Sequence, residues 1–464
     1  MSSEPGAPPG GVEAVTDPAT DPPHVLYVAW GYPPSRGGGV YRALATANGF
    51  AEAGCRVTVL TAERETFIEF TGADFSLEDK IHPDIEIVRL PFSWPAMETN
   101  IRKWPALRAF APKLWRKRQL RNDTKNFPEN GYGPWREPLE AAALDIHRRR
   151  PVDLVVASAN PNVDFMAADV LHRRHGVPYV MDYRDAWMLD VFDGSFLHEQ
   201  GGRVDQLEKR LLNSAREVWF VNEPIRAWHQ RRHPHLADRM HVVANGYDPE
   251  FAPLPSVEPA AADAPLTFGY IGTASAKVPL AEFAEGWRLA RGRHEALAGA
   301  RAQLWGYLGF YSAPSHVLLT LVDAFRPDGL SYEGPVPKAK VQSTYASFDA
   351  CLLILGAGKY VTSGKVFEYA ASALPIVAVH DPGNAATDVL REYPLWFPVA
   401  DLEPESIATA LEAAAVAARE ADPATREACR EFARRYSREL QLAPRIEALR
   451  DGITGTRTSP KESA

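Results

Sequence analysis

HVLYVAWGYPPSRGGGVYRALATANGFAEAGCRVTVLT, residues 24 to 61, decides the fold. His24 to Trp30 is an unbroken apolar run, as a strand buried on both faces requires, and Gly31 to Gly39 is a turn-rich loop ending in three glycines. Tyr41 to Ala53 carries helical spacing, Gly54 stops it, and Val57 to Thr61 is a β-branched run. Strand, glycine loop, helix and strand in that order make one unit of a parallel sheet.

The rhythm repeats downstream. Leu154 to Ser158 reads as a strand, Phe165 to Arg174 as a helix, and Tyr179 to Asp182 and Glu217 to Val221 as strands. After Asn245, Gly246 and Asp248 comes a stretch rich in Pro, Ala and acid, and a second series begins at Thr267 to Ile271. It continues through Ala302 to Trp305, Ala350 to Leu355 and Pro375 to Val379. The predicted fold is α/β, with two doubly wound Rossmann-like parallel-sheet domains facing a cleft. The expected boundaries are a first domain at 23–252, a linker at 253–265 and a second domain at 266–425. A C-terminal helix is expected at 426–450, with unstructured ends at 1–22 and 451–464.

At 464 residues the chain exceeds what one core covers. A net charge of -8 argues against a general nucleic-acid binder. Cys55, Cys351 and Cys429 have no metal-ligand or redox spacing, which fits incidental thiols in a reducing compartment. The first 22 residues lack the basic start and apolar core of a signal peptide, and no apolar run reaches the roughly 18–20 residues of a membrane helix. A cytoplasmic location is expected.

Thr362 to Ala378, TSGKVFEYAASALPIVA, places a cation and a carboxylate on one face of a helix start, because Lys365 and Glu368 stand three apart. Thr362, Ser363 and Gly364 are expected to cap that turn and to leave backbone N–H groups for a phosphate. A ligand with an anion at one end and hydroxyls at the other suits both charges. A surface Lys–Glu pair is the alternative reading of the same spacing.

Taken in order, these segments resemble the retaining glycosyltransferases of the GT-B fold, family 4, over almost the whole ordered length. The resemblance lies in the Pro33, Pro34 and Gly37 to Gly39 loop with Ala53 to Thr58, in Tyr179 to Trp187 (YVMDYRDAW) with its Arg-Asp-x-Trp pattern, in Val242 to Asp248 (VVANGYD) and in Phe268 to Thr273 (FGYIGT). It implies a nucleotide-sugar donor, UDP- or GDP-linked, gripped by Gly37, Gly38, Gly39, Gly272, Thr273, Lys277, Ser363, Gly364, Lys365 and Glu368. Glu368 would accept the ribose hydroxyls, and Arg184, Asp185 and Lys365 would serve the reaction. Three positions depart from the pattern of many relatives: Tyr360 stands where many have a second glutamate, Thr273 where many have an arginine, and Arg184, as in the subgroup with the Arg-Asp-x-Trp pattern, where many have a histidine in the first-domain cleft.

Breaking an anomeric C–O bond deposits charge on a diphosphate, so positive potential must be in place beforehand. No two aspartates have the Asp-x-Asp spacing that holds a metal in many other glycosyltransferases. The potential is therefore assigned to Lys365, with Lys277, and no cofactor or metal is expected. Dinucleotide and phosphate-loop readings fail on spacing, since Arg42 replaces the last glycine of one pattern and Leu353 the first glycine of the other.

Between Ser93 and Arg150, Trp94, Trp104, Trp115 and Trp135 alternate with Arg102, Lys103, Arg108, Lys113, Arg116, Lys117 and Arg118. Basic residues interleaved with tryptophan suit an anionic membrane surface or a lipid-linked acceptor, with peripheral contact through 93–121, while Pro105 and Pro112 equally allow a compact acceptor lid. The expected activity is transfer of a sugar to a glycan, glycolipid or natural-product acceptor. The alternatives are a non-catalytic nucleotide-sugar binder and an epimerase on the same scaffold.

Overall fold

A computed structural model describes residues 21–251, 264–309, 314–336, 340–356 and 358–458. Most of the leader expected at 1–22, most of the linker expected at 253–265 and the last six residues of the expected tail lie outside the described residues. The chain forms two wholly parallel sheets. The first contains β1 (His24–Val28), β2 (Arg56–Ala62), β3 (Glu86–Leu90), β4 (Leu154–Ala159), β5 (Tyr179–Tyr183), β6 (Glu217–Phe220) and β7 (Met240–Val242), in the order β3-β2-β1-β4-β5-β6-β7. The second contains β8 (Thr267–Ala274), β9 (Arg301–Leu308), β10 (Leu330–Gly334), β11 (Ala350–Ile354), β12 (Ile376–Val379) and β13 (Trp396–Pro398), in the order β10-β9-β8-β11-β12-β13. Strand order reverses beside β1 and β4 in one sheet and beside β8 and β11 in the other. Crevices open beyond the carboxyl ends of the strands at such points.

Both faces of each sheet are covered. Along β1, Val25 and Tyr27 enter one core while Leu26 and Val28 enter the opposite one, the two-residue alternation of a strand. Along β11, Cys351 and Leu353 point one way and Leu352 and Ile354 the other. All three cysteines are buried and in no disulfide.

Arg42, which spoils the dinucleotide pattern, has a structural role. It lies in the helix Val40–Glu52, is 1% exposed, and meets the fully buried Asp182 of β5 through its Nε (2.9 and 3.0 Å) and Nη2 (2.6 Å). Its Nη1 donates to the carbonyls of Val243 (2.8 Å) and Ala244 (3.2 Å), so one guanidinium ties the first helix to the chain leaving the first sheet. Breaking such a buried pair by removing one partner leaves a charge without compensation.

The C-terminal region differs from the expectation of a single helix at 426–450 and a loose tail from 451. Two helices occupy it, Pro423–Arg434 and Arg438–Thr458, the second running eight residues into the expected tail. They serve different bodies. Cys429 and Phe432 pack in the second body's core, whereas Leu442, Ile446, Leu449 and Ile453 complete the core of the first. Gly49 lets this final helix approach, since a Cβ there would stand 2.7 Å from Ile446 Cδ1. The chain thus passes between the bodies a second time, and the two passages lie side by side. Tyr247 pairs with Ser437, the Tyr247 N–H donating to Tyr436 O (3.1 Å) and the Arg438 N–H to Tyr247 O (2.8 Å).

Candidate active site

At the end of β8, Gly272 has a φ of +148° that L side chains rarely adopt, and a Cβ there would come within 2.1 Å of Lys365 Cε. Glycine is what allows the Lys365 side chain to lie across the strand end. Lys365 Nζ donates to Tyr270 Oη (2.6 Å) and stands 4.1 Å from that ring's centroid, and the Tyr270 hydroxyl donates onward to Thr273 O (2.8 Å). Burial lowers the Lys365 pKa to about 8.

One turn along the helix Lys365–Ala371, Glu368 Oε2 accepts from Tyr345 Oη (3.1 Å). Lys365 and Glu368 each bond a tyrosine rather than one another, unlike a surface ion pair. Glu368 sits in a recess: protein crowds it enough to raise its pKa by desolvation, yet its surface stays open to solvent. The Tyr345 bond and the charges of Arg438 and Lys365 oppose that rise. Arg438 donates to Asp248 Oδ1 (2.8 Å) and to Asn245 O (2.7 Å), clamping the Asn-Gly-Tyr-Asp connection beside Glu368.

The expected cap is not made by side chains. Gly364 occupies the N-cap position without a side-chain bond, and Ser363 is half-buried at the helix entry. Thr362 is buried because its hydroxyl accepts from Asn222 Nδ2 of the first body (3.1 Å). Asn222 Nδ2 also donates to Tyr360 O (2.9 Å), and a Cβ on Gly194 would stand 3.0 Å from the Tyr360 ring. Tyr360 is therefore part of the contact between the bodies. Lys277 lies on the same seam, with Nζ 4.4 Å from the Phe192 ring centroid.

On the facing body, Gly39 gives room to a second cation, since a Cβ there would fall 1.1 Å from Arg184 Nη1. Gly37 and Gly38 are less confined: a Cβ on Gly38 would meet nothing within 4 Å. Arg184 donates from Nε to Ala159 O (2.7 Å) and from Nη2 to Asn160 O, holding the loop after β4. Asp185 is bonded by Asn160 Nδ2 (2.9 Å) rather than by Arg184, and its carboxylate is open to solvent although crowding raises its pKa.

Asp185 lines a cavity of about 430 Å³ with Glu129, Asn160, Asn162, Trp187 and Phe192. Asn162 is 4% exposed, and its Oδ1 has no hydrogen-bond partner among the described residues. Behind the cavity, buried Asp164 accepts from Trp30 N (2.7 Å) and Trp135 Nε1 (3.0 Å), and desolvation pushes its pKa up to about 8.

The structure therefore groups Gly272, Lys365 and Glu368, joins Gly39 to Arg184, and places Lys277 on the seam. It does not join Arg184 to Asp185. Sequence reasoning missed Tyr270, Tyr345, Asn160, Asn162 and Arg438. Arg438 alone had a legible signal, a cation at the start of a helix within the C-terminal segment.

Residues 37–246 match the family model described as a glycosyl transferase 4-like domain. The sequence matches no curated protein. Among solved structures, the chain is similar to a glycosyltransferase from Rickettsia africae at 12% identity and a TM-score of 0.61, covering 94% of this chain and 100% of that one. It is similar to sucrose-phosphate synthase from Thermosynechococcus elongatus at 14% identity and a TM-score of 0.58, with the same coverage of 94% and 100%. HepE from Anabaena, solved in complex with UDP, aligns at 13% identity and a TM-score of 0.58 over 92% of this chain and 100% of that one. The first body thus matches a glycosyl transferase 4-like domain, and both bodies together share the two-sheet GT-B fold of these three structures.

Proposed function

We propose that the protein is a retaining, metal-independent hexosyltransferase that moves a sugar from a nucleoside-diphosphate donor to a hydroxyl-bearing acceptor. The observation that carries this reading is Lys365, an ammonium held over Gly272 at the strand-order reversal of the second sheet, one helical turn from a recessed carboxylate. The anomeric C–O bond breaks with its electron pair passing to the diphosphate oxygen. Lys365 stabilises that charge, and Glu368 accepts the ribose hydroxyls. The acceptor oxygen forms the new bond and gives up its proton to the departing diphosphate oxygen, and the sugar keeps its anomeric configuration. UDP is the first base to test, because HepE was solved with UDP and with UDP-glucose.

The cavity beside Asp185 is the acceptor side of this reading. Among the described residues Glu129, Asp185 and Asp190 line it, no lysine or arginine does, and burial lowers the pKa of the single lining histidine, His198. A hydroxyl-rich, uncharged sugar of a glycan, glycolipid or natural product fits such acceptor-rich walls better than a phosphate does. Arg184 positions this cavity through the Ala159 and Asn160 carbonyls, and Asp185 orients the incoming hydroxyl. For a lipid-linked acceptor the protein would work in the cytoplasm at the inner membrane face, with residues 93–121 toward the lipid.

The test is a thermal-shift series with UDP, GDP, ADP and TDP, followed by donor turnover. A nucleotide present at a hundred times its Kd should stabilise the wild type by about 2.7 kcal/mol and Lys365→Ala by much less. Equal shifts in both proteins would remove Lys365 from the site, and binding without transfer or hydrolysis would leave a nucleotide-sugar binder. Turnover lost in EDTA and restored by magnesium would overturn metal independence.

A further inference from the structure

We infer that the segment 97–121 is a docking face for an anionic lipid bilayer. This deepens the peripheral-contact reading above and does not depend on the transfer chemistry. Residues 93–126 contain nine basic and two acidic side chains, a net +7 within a chain of net -8. Six of these cations, Arg102, Lys113, Arg116, Lys117, Arg118 and Arg121, have no carboxylate partner among the described residues.

Large apolar side chains stand in water among them. Phe110 is 90% exposed, Ile101 72% and Leu114 59%. Isolated exposed apolar residues are ordinary, but three large ones within fourteen residues, interspersed in sequence with cations that have no carboxylate partner among the described residues, concentrate exposed apolar surface in one segment, as interaction surfaces do.

The segment is fixed to the first body, so these side chains are presented on a frame. Trp94 packs on Trp30, Phe92 and Tyr132 at centroid distances of 5.1, 5.1 and 5.6 Å. Arg108 lies 4.0 Å over Trp104 and 4.8 Å over Trp115 while donating to the carbonyls of Ala96 (3.1 Å) and Glu98 (2.9 Å). In the helix Pro112–Asn126, the more buried side is Trp115, Gln119 and Asp123. Leu114, Lys117, Arg118 and Arg121 share the outer side at helical spacing.

Charge selects an anionic partner, and the apolar tips select among anions. A nucleic acid rewards cations but gains nothing from aliphatic and phenyl tips turned toward its phosphates. A bilayer interface accepts both, the cations at the headgroups and the tips at the acyl boundary. No helix among the described residues is long and apolar enough to cross a membrane.

The test is flotation of the full chain with vesicles of phosphatidylcholine mixed with phosphatidylglycerol, against phosphatidylcholine alone. The wild type should float with the anionic vesicles only, and less at high salt. Replacing Arg116, Lys117 and Arg118 together by Ser should weaken partitioning by about fivefold per residue, on the order of a hundredfold in all. Replacing Ile101, Phe110 and Leu114 together by Ser should weaken it roughly tenfold or more, with the melting temperature held. A wild type that stays with the soluble fraction overturns the inference. So does an apolar triple variant that floats like the wild type, or single-stranded DNA that competes the protein off the vesicles and binds that variant undiminished. A protein that floats yet shows no thermal shift with any nucleotide overturns the transfer reading and leaves the docking face standing.

Discussion

Both bodies use a glycine to bring a cation to the cleft, and they use the cation differently. Gly39 makes room for Arg184, whose guanidinium is occupied by the Ala159 and Asn160 carbonyls. Gly272 makes room for Lys365, whose only side-chain hydrogen bond among the described residues is to a tyrosine hydroxyl. Arg42, a buried cation of the first body, is likewise satisfied, by Asp182. A guanidinium with five donors in a fixed fork suits holding backbone and carboxylate, while a compact ammonium with donors left over suits receiving an anion. The first body builds a rigid wall, and the second presents a charge.

Four measurements break or sharpen that contrast. The largest effect belongs to the wall: Asp182→Ala strands the Arg42 charge and should cost about 3–5 kcal/mol of stability in denaturant unfolding. A loss below about 1 kcal/mol would mean that Arg42 is not a structural clamp. Next, Lys365→Ala should lower kcat/KM roughly 10²–10³-fold with the melting temperature unchanged or raised, because a preorganised charge is lost while a desolvated ammonium is removed. If stability falls and turnover does not, the two cations have the same role and the contrast fails.

The third measurement uses the lowered pKa of Lys365, about 8 in the empty site. The ammonium binds the diphosphate and the amine does not, so donor affinity should be flat below about pH 8. It should then fall by up to about tenfold per pH unit as the proton is lost. Lys365→Arg should abolish that slope; a slope that persists belongs to another group. The smallest effect is at the seam, where Lys277→Ala removes a solvent-exposed cation–π contact with Phe192. It should change donor KM by only a few-fold, in line with roughly 0.5–1 kcal/mol for such contacts. A hundredfold loss of kcat instead would make Lys277 a second diphosphate ligand.

The strands legible in the sequence are the inner ones. β1, β2, β4, β5, β6, β8, β9, β11 and β12 lie between neighbours, and most read as apolar runs because both faces are covered. β3, β7, β10 and β13 are sheet edges, half exposed, and left no such run. Within the site, Lys365 and Glu368 were legible because helical spacing alone puts them on one face. Tyr270 and Tyr345 were not, since a phenol reaching a partner 95 or 23 residues away leaves no local pattern. Arg184 was legible as a site residue but its role was not, because whether a guanidinium meets a ligand or a carbonyl depends on the course of the loop after a neighbouring strand.

The return of Arg438–Thr458 to the first body has a consequence for how the protein is made. Domains of a nascent chain usually settle in the order in which they emerge. Here the layer under Val25, Tyr27 and Phe50 stays bare until Leu442, Ile446 and Leu449 arrive. During synthesis the second body has every strand of its own sheet before that layer closes. A ribosome-released fragment ending near residue 435 should therefore expose an oily face and aggregate, although every strand of both sheets is present in it.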